Sequence, residues 1–367
     1  MTRVIGWDLG GANVKVARVE DGFVAHIAQI PCPVLPGRGK FDAAVQAALP
    51  LLPSAALHAV TMTGELSDVF SRREEGVAYL VDLMQTVTSG QPLRLYGGNA
   101  GFLEPEEAKR RTVEVASANW HATAAFTARH RSDALLIDVG TTTTDLIPIK
   151  GGEVASRGTT DGERLTQGEL VYTGVVRTPV MAIAHTAPFM GRMQRIAAER
   201  FATMADVWRL TGDLPGDADP YPAADQRGKS PQESAARLAR MLGRDAEEAE
   251  LDDWIVLARS FGQCQLAQLE DAARTVSARE YLAATAPVIG AGCGRFLAKR
   301  LAALFGRPYV DFGEFIDAGP EAREAATRCA PGVAVALLAQ PAGRPVQPRG
   351  VLNDKTVDRP NPGNRNC

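Results

Sequence analysis

Twice along this chain an apolar run breaks at an Asp-x-Gly, passes through small polar residues and resumes as a second apolar run. The first case is Val4-Ile5-Gly6-Trp7-Asp8-Leu9-Gly10-Gly11-Ala12-Asn13-Val14-Lys15-Val16-Ala17. The second is Leu135 to Ile149, whose turn holds Gly140-Thr141-Thr142-Thr143. Each reads as two strands joined by a polar turn, and two copies about one domain length apart predict a duplicated α/β fold. The apolar pattern adds strands at Gly22–Ile30, Ala59–Thr63, Leu93–Tyr96, Val288–Ile289 and Pro308–Val310. Helical spacing covers Phe41–Leu52, Ala116–Ala125, Met193–Leu210, Asp252–Ala284 and Ala318–Leu338, with Gln263, Gln265 and Gln268 on a polar face. Ser230-Pro231-x-Glu233 is a capping box that opens a helix to Met241.

Gly151 to Arg177 leaves both periodicities: charged residues and Tyr172 fall between glycines, with Leu170–Tyr172 and Val175–Val176 as short strands. This is the expected character of a substrate-binding insertion. The resulting division is a first lobe over 1–130, a second over 131–340 with an insertion at about 151–285, and a flexible tail over 341–367 that is rich in Pro, Arg and Asn.

Composition narrows the function classes. With 367 residues, 45% of them hydrophobic, and a net charge of −3, the chain can bury two domain cores. Charges are mixed without a long basic run, so no nucleic-acid partner is expected. No apolar run approaches the ~20 residues of a spanning helix, so no membrane partner is expected either. Met1-Thr2-Arg3 runs directly into a strand, and the five cysteines form no Cys-x-x-Cys pair; the expectation is a cytoplasmic protein without zinc or disulfides.

The two turns carry the chemistry. Glycine after the acid lets backbone N–H groups form an anion nest, and a carboxylate at the strand end can hold a divalent cation such as Mg²⁺ on a phosphate. Asp8 and Asp138 are therefore the candidate metal ligands, with Asp8, Lys15, Asp138 and Asp145 as catalytic candidates. Gly10, Gly11, Asn13, Gly140, Thr141, Thr142 and Thr143 form the phosphate cradle. Glu65 and Asp68 follow a strand end, where a substrate or a helix cap would sit. Arg164 and Arg177 suit a diphosphate or a substrate carboxylate, and equally internal ion pairs with Glu163 or Glu169. Gly228-Lys229-Ser230 is no Walker A motif, because Ala223 stands where that motif needs glycine, but Arg227 and Lys229 flank a helix N-terminus that attracts phosphate. His121, on a helix of small residues, reads as a satisfied structural histidine.

Both hairpins, with Val288-Ile289-Gly290-Ala291-Gly292-Cys293-Gly294 before Arg295-Phe296-Leu297-Ala298, resemble the phosphate and adenosine motifs of the two-lobed actin, hexokinase and Hsp70 superfamily. Within it, Gly10 to Lys15, Thr61 to Leu66, Ala118-Asn119-Trp120, the Thr run, Glu163-Arg164-Leu165, Gly168 to Gly174 and Arg177-Thr178-Pro179 resemble the hydantoinase/oxoprolinase-like branch linked to tetrahydromethanopterin C1 metabolism. Their wording is similar to the methanofuran-biosynthesis synthases of that branch.

The resemblance implies a transferase. It would join a phosphorylated aminomethylfuran to the phenol oxygen of a tyramine, tyrosine or glutamylated unit, with Mg²⁺ on the leaving diphosphate and Glu65, Asp68 or Glu169 on the aminomethyl group. Gly290 and Gly292 would then lie on the adenosine side of the cleft, and Tyr172 among the substrate contacts. A homodimer is compatible with this. An ATP-dependent kinase or hydrolase of the same fold, or a nucleotide-sensing protein without turnover, are the competing classes.

Overall fold

A computed structural model describes residues 2–33, 37–52 and 57–340. The tail expected over 341–367, and residues 34–36 of the proline-punctuated loop, lie outside the described residues.

The N-terminal sheet contains β1 (Arg3–Leu9), β2 (Asn13–Glu20), β3 (Phe23–Pro31), β4 (Leu57–Met62), β5 (Leu93–Tyr96) and β6 (Phe102–Leu103) in the order β3-β2-β1-β4-β5-β6. β1 is antiparallel to β2 and parallel to β4. The C-terminal half repeats this plan with β7 (Ala134–Val139), β8 (Thr144–Lys150), β9 (Glu153–Val154) and β10 (Leu170–Val171). After a hairpin of β11 (Thr186–Phe189) and β12 (Arg192–Arg195), β13 (Val288–Ala291) and β14 (Tyr309–Asp311) complete the order β10-β8-β7-β13-β14. β7 is antiparallel to β8 and parallel to β13, as β1 is to β2 and β4. The chain thus folds as two lobes of one α/β plan, each with its hairpin at the centre. Central strands buried on both faces explain why β1 and β7 read as continuous apolar runs.

The halves share a core. Val4, Ala59, Trp120 and Phe126 pack in one cluster with Leu136, Ile147, Ile289 and Val333. The helix Ala330–Leu338 lies against β1, where only a glycine at position 6 leaves room for the Gly332 carbonyl.

Three predicted elements differ. Ala318–Leu338 is two helices, Pro320–Arg328 and Ala330–Leu338, divided at Cys329. Met193–Leu210 is not one helix: β11 and β12 pair as a hairpin, and the helix runs only over Met204–Leu210. Phe189 stacks on Trp254 at 4.6 Å between ring centroids, which holds the hairpin. Thr203 and Asp206 form the capping box that starts the short helix rather than lying inside it. Val175–Val176 is buried but forms no strand, and Asp161–Gln167 is a helix opened by a Thr160/Glu163 capping box.

Candidate functional site

A cavity of about 680 Å³ opens where the turns of the two hairpins approach each other. Asp8 and Lys15 pair directly across β1 and β2, with Lys15 Nζ 3.4 Å from Asp8 Oδ2. The turn is closed by the Gly10 N–H donating to the Asn13 carbonyl at 3.1 Å. The second hairpin repeats this geometry, since Asp138 pairs across from Asp145 and the Gly140 N–H donates to the Thr143 carbonyl at 2.9 Å. Where the first hairpin sets a lysine opposite its aspartate, the second sets another carboxylate.

Arg164 supplies the missing charge. Its guanidinium, 1% exposed, lies 2.9 Å from Asp145 Oδ1 and stacks over the Trp120 ring at 3.9 Å, while Nη2 donates to the Glu169 carbonyl. The ionic alternatives with Glu163 and Glu169 side chains are thus replaced by a pair with Asp145. Burial raises the Asp145 carboxyl and Arg164 opposes that rise. Asp138, without such a partner, is pushed up to about 7 by burial and by the Asp145 charge, against the pull of Lys15. Burial raises Asp8 as well, with Lys15 holding it down. Burial alone would lower Lys15, but Asp8 and other nearby acidic groups keep it above the ordinary lysine range.

The insertion braces the second turn. Thr141 O accepts from the N–H groups of Val176 at 3.2 Å and Arg177 at 2.8 Å. At Gly174 a Cβ would come within 2.5 Å of the Thr141 carbonyl carbon, so the strap can lie this close only with glycine. Buried Gln265 ties the strap down: its Nε2 donates to Thr173 Oγ1 at 2.8 Å and the Gly174 carbonyl at 2.9 Å, and its Oε1 accepts from Trp208 Nε1. Gln265 therefore faces inward, whereas Gln263 and Gln268 are exposed. Gly292, at φ +82°, lets its backbone press against the end of β7 beside Asp138.

Behind the wall, Glu65 is 1% exposed and its Oε1 accepts from the Ser117 N–H at 2.9 Å and Oγ at 3.0 Å. Burial pushes this carboxyl up to about 7. Ser117, held at φ +53°, also donates to Asp161 Oδ2, which Arg73 approaches at 3.4 Å. This chain of contacts links the first lobe to the insertion.

The cavity gathers Asp8, Gly10, Gly11, Asn13, Lys15, Asp68, Asp138, Gly140, Thr141, Thr142, Thr143, Asp145, Arg164, Tyr172, Arg177 and Gly292 on its walls. Five other candidates do not line it. Glu65 lies behind Ser117, and Gly290 faces the Tyr309 ring. Glu169 is fully buried, accepting from Ser156 Oγ, the N–H groups of Arg157 and Gly158, and Arg279. Lys229 is held 3.2 Å from Asp219, and Arg227 is exposed elsewhere. No helix begins at Ser67 or Asp68; the next starts at Arg73, which removes the capping alternative. His121 is satisfied between Tyr96 and Asn99, and burial lowers it to about 4.

The cavity also recruits residues that local pattern does not single out. Ser117, Asp161, Arg200 and Tyr221 line it, and Tyr221 caps the first turn by donating to the Ala12 carbonyl while accepting from the Cys32 N–H. Three of these four, Ser117, Arg200 and Tyr221, lie in irregular segments, the first two inside stretches whose spacing reads as helix.

The duplicated sheets, with paired hairpins facing one cleft, define the chain as a two-lobed protein of the actin/hexokinase/Hsp70-like fold. It belongs to the hydantoinase/oxoprolinase family, whose family model matches residues 56–340. Among its relatives, a (4-{4-[2-(gamma-L-glutamylamino)ethyl]phenoxymethyl}furan-2-yl)methanamine synthase of Methanocaldococcus jannaschii is 32% identical over 278 residues, covering 75% of this chain and 82% of that protein. A protein of the same name from Methanococcus vannielii is 30% identical over 126 residues, covering 34% of this chain and 56% of that protein. The nucleotide-free structure of acetone carboxylase is similar in fold, with a TM-score of 0.50 at 10% identity, covering 82% of this chain and 66% of that one. No described helix is long and apolar enough to cross a membrane.

Proposed function

We propose that this protein is a transferase of methanofuran-type cofactor biosynthesis, which joins an aminomethylfuran diphosphate to the phenol oxygen of a tyramine or tyrosine unit. The supporting observation is 32% identity, across most of both chains, to a synthase whose name describes a phenoxymethyl-furan. A phenoxymethyl-furan is the ether such a condensation makes.

In this reading the furfuryl carbon–oxygen bond to diphosphate breaks, the phenol oxygen bonds to the methylene, and the phenolic proton leaves to the enzyme. The furan ring delocalises positive charge developing on the methylene, so the protein's main task is to stabilise the departing diphosphate. Lys15, the hydroxyls of Thr141, Thr142 and Thr143, and the hairpin backbones supply that stabilisation. Asp138, with its carboxyl near 7, is the proton acceptor we favour, because its affinity suits transfer near neutrality.

Mg²⁺, if bound, would supply further neutralisation of the diphosphate charge. The donor set suits it. Asp8 Oδ1 and Asn13 Oδ1 are buried without a hydrogen-bond partner and belong to residues on the cavity wall. Asp8, with Asn13, would hold the ion; Asp138, the second ligand expected from the sequence, is assigned to the proton instead, since a cation on its carboxylate would keep it deprotonated.

A Cβ at Gly290 would meet Tyr309, at Gly292 the end of β7, and at Gly294 Val139 and Val175, so internal packing alone accounts for all three glycines, and only Gly292 reaches the cavity wall. The run therefore carries no separate signal for a nucleotide. Mass spectrometry of the purified protein with the aminomethylfuran diphosphate and γ-glutamyltyramine tests the proposal: an aryl furfuryl ether supports it, and unreacted substrates with active controls refute it.

A further inference from the structure

One hydroxyl on the cavity wall faces two carboxylates. Ser117 Oγ lies 3.0 Å from Glu65 Oε1 and 3.2 Å from Asp161 Oδ2, and the Ser117 N–H already donates to the same Glu65 oxygen at 2.9 Å. A serine hydroxyl has a single hydrogen to give, so it serves one carboxylate, and the other contact closes only if a second hydrogen is present. Glu65 is the place for it. Its Oε2 is buried without a partner, and ionisation there would leave a charged oxygen that no donor meets. Protonated at Oε1, Glu65 donates to Ser117 Oγ, and Ser117 gives its own hydrogen to Asp161.

The groups around this trio allow two arrangements. The helix Arg73–Thr88 presses on Glu65 with Gly76, where a Cβ would come within 2.6 Å of Glu65 Cα. Asp161 is the charge that bears on Glu65, and burial pushes the Glu65 carboxyl up to about 7. Arg73, on the same helix as Gly76, lies 3.4 Å from Asp161 Oδ2 and is the alternative partner of that carboxylate. Asp145, paired with Arg164, and Tyr172 also lie within the field of Asp161.

Each side of the contact belongs to a longer unit. Ser117, held at φ +53°, leads into the helix Asn119–Ala128, which carries Trp120. Asp161 opens the helix Asp161–Gln167, which carries Arg164 one turn on. Ser117 meets Asp161, and Trp120 meets Arg164 by the stacking at 3.9 Å, so residues three apart in the first lobe receive residues three apart on the insertion helix. All four line the cavity.

We propose that Glu65, Ser117 and Asp161 form a proton-operated latch between the first lobe and the insertion: with Glu65 protonated the Ser117 hydrogen holds Asp161, and with Glu65 ionised that hydrogen turns to Glu65 and leaves Asp161 to Arg73. No covalent bond between heavy atoms changes. One proton passes from the buried carboxyl to solvent as the latch opens, and the helix that carries Arg164 is then fixed to the first lobe below neutrality and loosened above it.

The test is hydrogen–deuterium exchange of the full chain, read by mass spectrometry over residues 161–167 at about pH 6 and about pH 8.5 and corrected for the chemical exchange rate. Wild type is compared with Glu65→Gln, which carries no charge at either pH, and with Ser117→Gly, which removes the hydroxyl at a backbone angle that glycine adopts freely. Protection in wild type should fall by about tenfold between the two pH values, the size of a lost hydrogen bond to a charged group. The glutamine variant should stay protected at both, and the glycine variant should be unprotected at both. Strand β13 in the same lobe is the internal reference and should not change. Wild-type protection that is independent of pH, an equal fall in the glutamine variant, or an equal fall in β13 would each overturn the latch. A folded glycine variant as protected as wild type at the lower pH would overturn it too, and if a melting curve shows that variant unfolded, the glutamine comparison decides alone.

Discussion

Asp138 and Asp145 stand directly opposite each other across the β7–β8 hairpin, two carboxylates in the positions where the β1–β2 hairpin places Asp8 and Lys15. The pair persists because Arg164 lies against Asp145 at 2.9 Å, leaving Asp138 as the carboxyl that titrates near 7. On the transferase reading proposed above, both turns would cradle the anion and only the second would carry a carboxyl placed to move a proton.

The pH profile follows from that division. A base with a carboxyl near 7 must lose its proton to act, so kcat/KM for ether formation should rise with pH through about 7. Asp138→Asn should lower kcat by about 10²–10⁴-fold and erase this limb while keeping the melting transition. A variant that retains the limb would remove Asp138 as the base.

Arg164→Met should expose the cost of two facing carboxylates. Breaking a buried ion pair from one side costs about 3–5 kcal/mol, whereas Asp145→Asn together with Arg164→Met should recover part of the loss. Chemical denaturation of the two variants measures both. Equal destabilisation of the single and double variants would contradict the pairing.

Glu65 gives a stability signal. Its folded carboxyl lies near 7, above the unfolded value near 4.5, so the stability it contributes is full below about 4.5 and is lost as pH rises through about 7. Glu65→Gln keeps an oxygen for the two Ser117 donors without the charge. The variant should therefore gain on wild type in melting temperature between pH 5 and 8, on the order of a few degrees. Parallel curves for the two proteins would place the Glu65 titration elsewhere.

Gln265→Leu should leave the Trp208 indole N–H and the Gly174 carbonyl without their buried partner, at about 1–3 kcal/mol. It should also loosen the strap on Thr141 and lower kcat more than it raises KM. Unchanged kcat at reduced stability would make the residue structural alone.

Much of the fold and half of the site are legible in the sequence, for a physical reason. Hairpins with Asp-x-Gly turns are local: strand period, turn chemistry and the acid at the strand end all lie within some fifteen residues, so the amino-acid pattern alone places Asp8, Lys15, Asp138 and the Thr run. Long-range contacts leave no such local mark. The stacking of Phe189 on Trp254 holds β11 and β12 as a hairpin and so takes Met193–Arg195 out of a stretch of helical spacing, and the reach of Gln265 to Trp208 turns a polar-face glutamine inward. Tyr221 reaches the cavity from a loop that carries no periodic signal, and Arg200 from a stretch whose spacing reads as helix but which is irregular. Gly290 fits a ligand motif by spacing, yet Tyr309 fills the space its missing side chain leaves.

Ligand linkage offers a test of the cleft without chemistry. Diphosphate with Mg²⁺ that binds only the folded cleft stabilises by about 2.7 kcal/mol at a hundredfold over Kd, which shifts the melting temperature by some degrees. Asp8→Asn should lose this shift, since Asp8 lies beside Lys15 on the cavity wall. A full shift in that variant would place the anion elsewhere.

The most direct measurement of the central claim is phosphorus NMR of the protein with furfuryl diphosphate and a phenolic acceptor in the absence of nucleotide. A transferase of this kind releases free inorganic diphosphate in step with ether formation and needs no ATP. Strict dependence on ATP, with ADP as the phosphorus product, would contradict the account and make the two hairpins a nucleotide site.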